Sequence, residues 1–400
     1  MIALERIDVH ALAARYRREL FEEVLPFWER HGIDGEHGGF MCALDYEGRP
    51  ADTNKFHWFQ GRGLWLYSFL YNHFGRDPRH LEIARKAKDF LLARFPQPDG
   101  WFAETVTREG QVVQPFRGNI YGMYFAAEGL QEYAAAAGDE EAFAAALALL
   151  ERLWAHIESP EFGVRTQGLW MMNLLIATQV LRRRHVPSVA RMGETALDAI
   201  VNRHYHPEIG LNIEELNHDW SRTAAGDSIC LVGHAVECLW MAMHEALRRG
   251  DGALWDLCAA RLRRHLDAGW DHIFGGLVMA VNVDHPDYEW PPDRPAGTAL
   301  EFRERGEYKY VKSFWSINEV QIAALHVWER TGAEWAARYF NMAQEIADTK
   351  FSLRSRGYPL YMLFTDRRFG FQQGTLRQDN YHLPRSLAMN LLALERMAAR

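Results

Sequence analysis

Apolar residues recur at three- and four-residue intervals through most of the chain, the spacing of helices that bury one face. FAAALALLERLWAHI from Phe143 is one example, and similar stretches predict helices starting near Ala11, Gly61, Asp77, Asn119, Leu169, Pro187, Val232, Ala253, Ser316, Ala333 and Pro384. Strand-like alternation is short and local, as in GGFMCALDYEG, and predicts small β-ribbons between helices. A punctuation mark returns at Gly39, Gly100, Gly163, Gly210, Gly276 and Gly370, where an acidic or proline-containing turn usually leads to glycine and then to an apolar residue. The intervals average roughly sixty-five residues, two helices with their loops. Six such units without a linker rich in Ser, Gly or Pro predict an all-α fold. One domain over residues 1–400, a closed helical toroid of six hairpins, accommodates them. Two smaller helical domains are the alternative, with no boundary to place between them.

Inner helices of such a ring are apolar nearly all round except where they face the central cavity, so polar residues embedded in apolar helices mark the candidate site. In KFHWFQGRGLWLYSFLY, Arg62 sits among Trp58, Trp65 and Tyr67, and a buried guanidinium needs a carboxylate or a ligand. Lys55 and His57 beside it are expected at the surface or in a turn. In LVGHAVECLWMAMHEAL, His234 and Glu237 share one helix face, where a carboxylate can orient an imidazole and tune its pKa; a satisfied core histidine is the plainer reading. His244, further along, reads as structural. In KYVKSFWSINEVQIAALHVW, Trp315 and Glu319 lie one turn apart with Phe314 and Lys312 nearby. An aromatic plane beside a carboxylate suits a sugar ring, although a core Trp and a buried ion pair would use the same residues. In RQDNYHLPRSLAMN, His382 and Arg385 meet a helix start at Pro384, a convergence suited to developing negative charge; capping alone would explain Asn380.

Composition narrows the function. With 48% hydrophobic and 24% charged residues the chain has a real core, and its 14 Trp, 15 Tyr and 22 Phe are unusually many, most of them expected in helix packing. A net charge of -8 lacks the electrostatic footprint of nucleic-acid binding. No run of about 18 apolar residues predicts a membrane span, and the first twenty residues lack the apolar core of a secretory signal, so a cytoplasmic protein is expected. Cys42, Cys230, Cys238 and Cys258 show no CxxC pair and are expected to be reduced, mostly buried thiols. Glu214, Glu215, Asn217, His218 and Asp219 in EELNHDW have a metal site's composition but are crowded rather than spaced as ligands. Without HExxH, GxSxG, a P-loop or a strand-preceded GxGxxG, no cofactor and no metal are expected. Two histidines far apart in sequence, an arginine and several carboxylates in one aromatic-lined cavity suit acid–base catalysis near neutral pH. Flanking one carbon, such a pair would remove a proton from one side and deliver one from the other.

EHGGF, WFQGRGLW, GHAVECLW, GGLVMAVNVD, KSFWSINE and YHLPRSLAM, in that order, make nearly the whole chain resemble the N-acylglucosamine 2-epimerase superfamily. That superfamily includes renin-binding-protein-type epimerases, cellobiose 2-epimerases and aldose–ketose isomerases acting on mannose or sulfoquinovose. The resemblance implies an (α/α)6 barrel with His234, His382, Arg62 and Glu237 as catalytic residues. The implied reaction opens the sugar ring, removes the C2 proton to give a cis-enediolate and reprotonates C2 from the other face. Arg62 would stabilise the enediolate oxygen and Glu237 would orient His234; return of the proton to C1 would give a ketose. Trp58, Asn173, Phe314, Trp315, Glu319, Gln378 and Arg385 are the candidate substrate contacts.

Three departures bear on the substrate. Phe314 replaces the first of a tandem Trp pair, Gln378 stands where N-acylglucosamine enzymes tend to have lysine, and Asn173 stands where several relatives place a sugar-contacting histidine. They shift the expectation to a free hexose such as mannose or glucose, with an N-acylglucosamine or cellobiose 2-epimerase as the alternative. A glycoside hydrolase or lyase on the same toroid is more distant, as is a binding protein that has lost the chemistry. The extra segment PPDRPAGTALEFRERGEY is expected to be a lid or an oligomer contact, the partner a small sugar, and the chain a monomer or homodimer.

Overall fold

The first periodic stretch forms α1 (Val9–Arg18), which runs through a π-helical segment, Glu19–Val24, into α2 (Leu25–His31). The computed structural model describes residues 7–223, 226–282, 311–353, 357–364 and 378–400. Eleven further helices follow: α3 (His57–His73), α4 (Pro78–Arg94), α5 (Tyr121–Ala137), α6 (Glu140–Ile157), α7 (Gln167–Leu181), α8 (Pro187–Asp198), α9 (Val232–Arg249), α10 (Gly252–Gly269), α11 (Phe314–Thr331), α12 (Glu334–Ile346) and α13 (His382–Ala398). Each predicted start lies within a few residues of an observed one.

Two kinds of helix alternate. On α6 the buried side chains are Ala142, Ala146, Leu149, Leu150, Leu153 and Ile157, one stripe at helical spacing. On α7 every residue from 167 to 178 is buried. Helices of the second kind, α3, α5, α7, α9, α11 and α13, pack each against the next, and α13 closes on α3. Helices α4, α6, α8, α10 and α12 each back the inner helix before them, and α1 backs α13. The result is an (α/α)6 barrel.

The glycine punctuation falls on the outer-to-inner connections, all at one end of the barrel. Gly39, Gly100, Gly163, Gly210 and Gly276 have φ between +68° and +93°, the left-handed turn the pattern predicts. Gly370 and residues 291–308, the expected lid or oligomer contact, lie outside the described residues. Short strands pair neighbouring connections antiparallel at four places among the described residues: Lys55–Phe56 with Thr105–Val106, Arg165–Thr166 with Glu215–Leu216, Ile229–Leu231 with Ala280–Asn282, and Val311–Ser313 with Met362–Phe364. The same ribbons cap the inner helices, because His57 N–H donates to Glu104 O (3.0 Å), Gln167 N–H to Glu214 O (2.8 Å) and Phe314 N–H to Tyr361 O (2.8 Å). Outer helices α4, α6 and α10 take ordinary side-chain caps from Asp77, Asp139 and Asp251.

This ribbon layer corrects the expectation for Lys55 and His57, both of which are buried. Lys55 Nζ donates to Asp34 Oδ2 (2.9 Å) and Gly38 O (2.7 Å). The His57 ring lies 3.0 Å from Asn119 O through Nε2, and burial lowers its pKa to about 4, so it is neutral. All four cysteines are buried and unbridged.

Helices α3 and α5 touch backbone to backbone. A Cβ on Gly61 would stand 2.3 Å from the Phe125 carbonyl carbon, and one on Gly129 would stand 2.6 Å from Gly61 O. Gly61→Ala is therefore expected to destabilise the protein by about 1–3 kcal/mol through overpacking, read as a lower urea midpoint.

Candidate active site

Six inner helices point their N-terminal ends toward the ribbon end of the barrel, and their first two turns carry Arg62, His234, Trp315, Glu319 and His382. The positive ends of the helix dipoles therefore face the place where these side chains meet, a field that favours an anion.

Trp315 stands beside both histidines. Its ring centroid is 5.7 Å from that of His234 and 5.5 Å from that of His382. Room for the indole comes from Gly233, where a Cβ would lie 2.4 Å from the ring. Each imidazole is held by a carboxylate at Nδ1: His234 by Glu214 Oε1 at 3.0 Å and His382 by Glu319 Oε1 at 2.7 Å. Donation from Nδ1 leaves Nε2 as the working nitrogen in both rings. On His382, Nε2 lies 3.3 Å from Arg62 Nη2; on His234, Nε2 has no hydrogen-bond partner among the described residues.

The expected pairing of Glu237 with His234 is not what the structure holds. Glu214, from the ribbon preceding α9, takes that place, and Glu237 accepts instead from Arg385 Nη2 at 2.8 Å. Reach explains the exchange, since a residue three further along the same helix must share its face with whatever the facing helices present. Burial opposes a charge on His234, but Glu214 outweighs it through its charge and its hydrogen bond, and with Glu237 adding to them the pKa is raised. In sequence, Glu214 belongs to a cluster with a metal site's composition but without a ligand's spacing. Its signal was position, a carboxylate on a punctuated connection just ahead of an inner helix.

Glu319 is fully satisfied: Oε1 accepts from His382 Nδ1 and from Arg385 Nη2 (2.6 Å), and Oε2 accepts from Trp240 Nε1 (3.0 Å). Although burial disfavours its charge, Arg385 and then His382 outweigh that and hold its pKa well below the ordinary value. Glu237 goes the other way, raised by burial and by the Glu319 charge. Arg385, expected to face substrate, is instead engaged by Glu237, Glu319 and the Tyr381 hydroxyl (2.9 Å).

Arg62 donates to Asp379 Oδ1 at 3.3 Å as well as facing His382, and its guanidinium lies 4.1 Å from the Phe125 ring centroid, 4.9 Å from Tyr381 and 5.2 Å from Trp58. Those rings hold it flat and largely dry. Asp379 also accepts from the Tyr381 and His382 N–H groups, the capping part expected of Asn380, whose Nδ2 donates to Phe59 O.

The remaining sequence candidates have partners of their own. Phe314 stacks on Phe351 at 4.9 Å, in the packing rather than beside the histidines. Gln378 is buried and donates to Leu44 O (3.3 Å); Asn173 is buried and donates to the Tyr124 hydroxyl (2.8 Å) and Leu169 O (2.9 Å). Trp58 Nε1 donates to Asn119 Oδ1 (3.1 Å). Lys312 pairs with Asp271 (2.7 Å), the buried ion pair weighed from sequence. Among the described residues Glu237, Glu319 and His382 bring one ligand atom each within 4.8 Å of one another. Arg385 Nη2 touches both carboxylates, so a guanidinium already supplies the positive charge that a metal would bring.

Glu214→Gln keeps a hydrogen-bond acceptor for His234 and removes the charge that raises its pKa. Turnover near neutral pH is expected to fall at least about tenfold, or about 1.4 kcal/mol in the barrier. The alkaline limb of the kcat–pH profile should move to lower pH, because the variant imidazole loses its proton earlier. A pH–rate series on both proteins reads this directly.

The profile of the N-acylglucosamine 2-epimerase (GlcNAc 2-epimerase) family matches residues 38–358. The N-acylglucosamine 2-epimerase of Bos taurus is 26% identical over 417 residues, covering 96% of this chain and 92% of that protein. The cellobiose 2-epimerase of Bacteroides fragilis is 26% identical over 317 residues, covering 70% of this chain and 78% of that one. Among solved structures, cellobiose 2-epimerase from Bacillus thermoamylovorans superposes with a TM-score of 0.78 at 17% identity, over 97% of this chain and 100% of that one, which shows the fold.

Proposed function

The chain belongs to the N-acylglucosamine 2-epimerase family and is a carbohydrate isomerase of the epimerase kind, and on that premise we propose that His234 and His382 invert C2 of an N-acylated hexosamine. The observation that carries the chemistry is the placement of two carboxylate-held imidazoles beside one ring, Trp315. One-sided catalysis would need one such imidazole.

In the open-chain aldehyde form, the C2 proton is acidic only if the charge appearing on the C1 oxygen is stabilised as the proton leaves. His382 Nε2, next to Arg62, takes the proton from one face. Arg62 and the positive helix ends stabilise the enolate oxygen on C1. His234, whose charged form Glu214 favours, delivers a proton to the other face. Trp315 supplies a flat apolar surface for the planar intermediate. Starting from the opposite epimer, the two histidines exchange roles.

The substrate class rests on the relatives matched over 96% of the chain, which are N-acylglucosamine 2-epimerases. Gln378 and Asn173, whose departures favoured an unmodified mannose or glucose, bond to protein groups in the interior and so carry little weight on the substrate. Incubating the enzyme with N-acetylglucosamine, N-acetylmannosamine, cellobiose, mannose and glucose, and resolving products by chromatography, tests this reading. Interconversion of the N-acetyl pair is expected. Turnover of mannose or cellobiose alone would reassign the substrate, and a ketose product would mean that the proton returns to C1.

A further inference from the structure

A cavity of about 650 Å³ lies in the barrel away from the histidines. It opens at the opposite mouth, among the C-terminal halves of the inner helices, and Trp240 and Arg385 form the partition between the two. Nothing in the epimerisation chemistry uses it, yet its size is that of a small-molecule site.

Its lining is unusual for a protein of net charge -8: six arginines against three glutamates. Pairing accounts for some of this charge. Arg183 is bound to Glu132, Arg396 and Arg400 share Glu329, and Arg385 belongs to the catalytic carboxylates. Arg182 and Arg330 remain, and neither forms an ion pair among the described residues. Arg182 donates to His244 O (3.2 Å), while Arg330 lies over Trp255. The helix C-termini at this mouth explain the bond of Arg182 to a carbonyl but leave Arg330 unmatched.

A second observation points the same way. His244 and His326 meet at 4.6 Å between ring centroids on the cavity wall, and His326 Nε2 is buried without a hydrogen-bond partner. Burial is the main reason the His326 pKa falls to about 4; Glu329 opposes the fall, and Arg396, Arg182 and Arg330 add to it. Three arginines thus act on one uncharged imidazole against one carboxylate. Trp65, Phe69 and Trp240 give the rest of the wall flat apolar surface.

We propose that this rear cavity is a second ligand site, for an organic phosphate monoester of sugar size. Its dianion would meet Arg182 and Arg330, His326 would donate through Nε2, and its carbon skeleton would lie against the aromatic wall. A free phosphate ion would fill only a small part of the volume and leave that wall unused.

Titration calorimetry with glucose 6-phosphate, on the wild type and on the Arg182→Ala/Arg330→Ala double variant, tests this. Neither substitution touches the His234–His382 site. Saturable binding is expected in the wild type, with at least about tenfold weaker binding in the variant, the scale of one lost charge-assisted hydrogen bond. Inorganic phosphate should bind more weakly than the ester. No saturable binding at millimolar ester, or equal affinity in the two proteins, would overturn the site, the latter by placing the anion elsewhere. Inorganic phosphate binding as tightly as the ester would overturn the organic part of the assignment.

Discussion

His234→Ala and His382→Ala are each expected to lower epimerase turnover by at least about 10²-fold, the scale of a lost general acid or base. The two losses should be similar in size, because each imidazole is acid in one direction and base in the other. They should also be non-additive, since inversion stops once either face is unserved. Folding should survive better in the His234 variant, whose side chain is 24% exposed, than in the His382 variant, whose side chain is 9% exposed and bonded to Glu319. Thermal melts alongside the kinetics separate lost chemistry from lost structure. Full activity in either variant would remove that residue from the mechanism.

Arg385→Met is expected to be among the most damaging substitutions to stability. The guanidinium is 1% exposed and donates to Glu237, Glu319 and Tyr381. Methionine would leave two buried carboxylates facing each other without their cation, and breaking a buried pair in this way costs about 3–5 kcal/mol. The pH dependence has a definite sign. Arg385 is the largest influence holding the Glu319 pKa down against burial, so the stability it contributes is fully present above the ordinary carboxylate pKa and lost as pH falls through the depressed folded value. In the variant Glu319 takes up a proton more readily, and a neutral acid is cheaper to bury. The deficit should therefore be largest near pH 7 and shrink toward pH 4. Urea midpoints across that range check it, and a deficit independent of pH would assign Arg385 to packing alone.

What could be read from the sequence divides along a physical line. Local periodicity set the helices, and the recurring acid-turn-glycine mark set the connections, because a left-handed turn leaves a local signature. Arg62, His234, Trp315, Glu319 and His382 stood out because a polar group inside an apolar helix is conspicuous. Glu214 did not, because it lies just ahead of a two-residue strand, Glu215–Leu216, whose pairing partner, Arg165–Thr166, is some fifty residues away. Nothing in the local pattern aims it at His234. Lys55 failed for the same reason, its burial depending on Asp34 across a loop. Arg385 was legible as a buried cation, but its bonds to Glu237 and Glu319 were not, since sequence spacing does not show which carboxylates two other helices bring to it.

Deuterium exchange at C2 is the sharpest test of two-sided catalysis. In D2O, wild-type enzyme should place deuterium at C2 of the product epimer as it forms. His234→Ala, which keeps the His382 base beside Arg62, should still exchange the C2 proton of one epimer while producing little or none of the other, and His382→Ala should do the reverse. Loss of exchange from both epimers in both variants, or inversion without any solvent deuterium in the product of the wild type, would contradict a proton carried off one face by one histidine and returned to the other face by its partner.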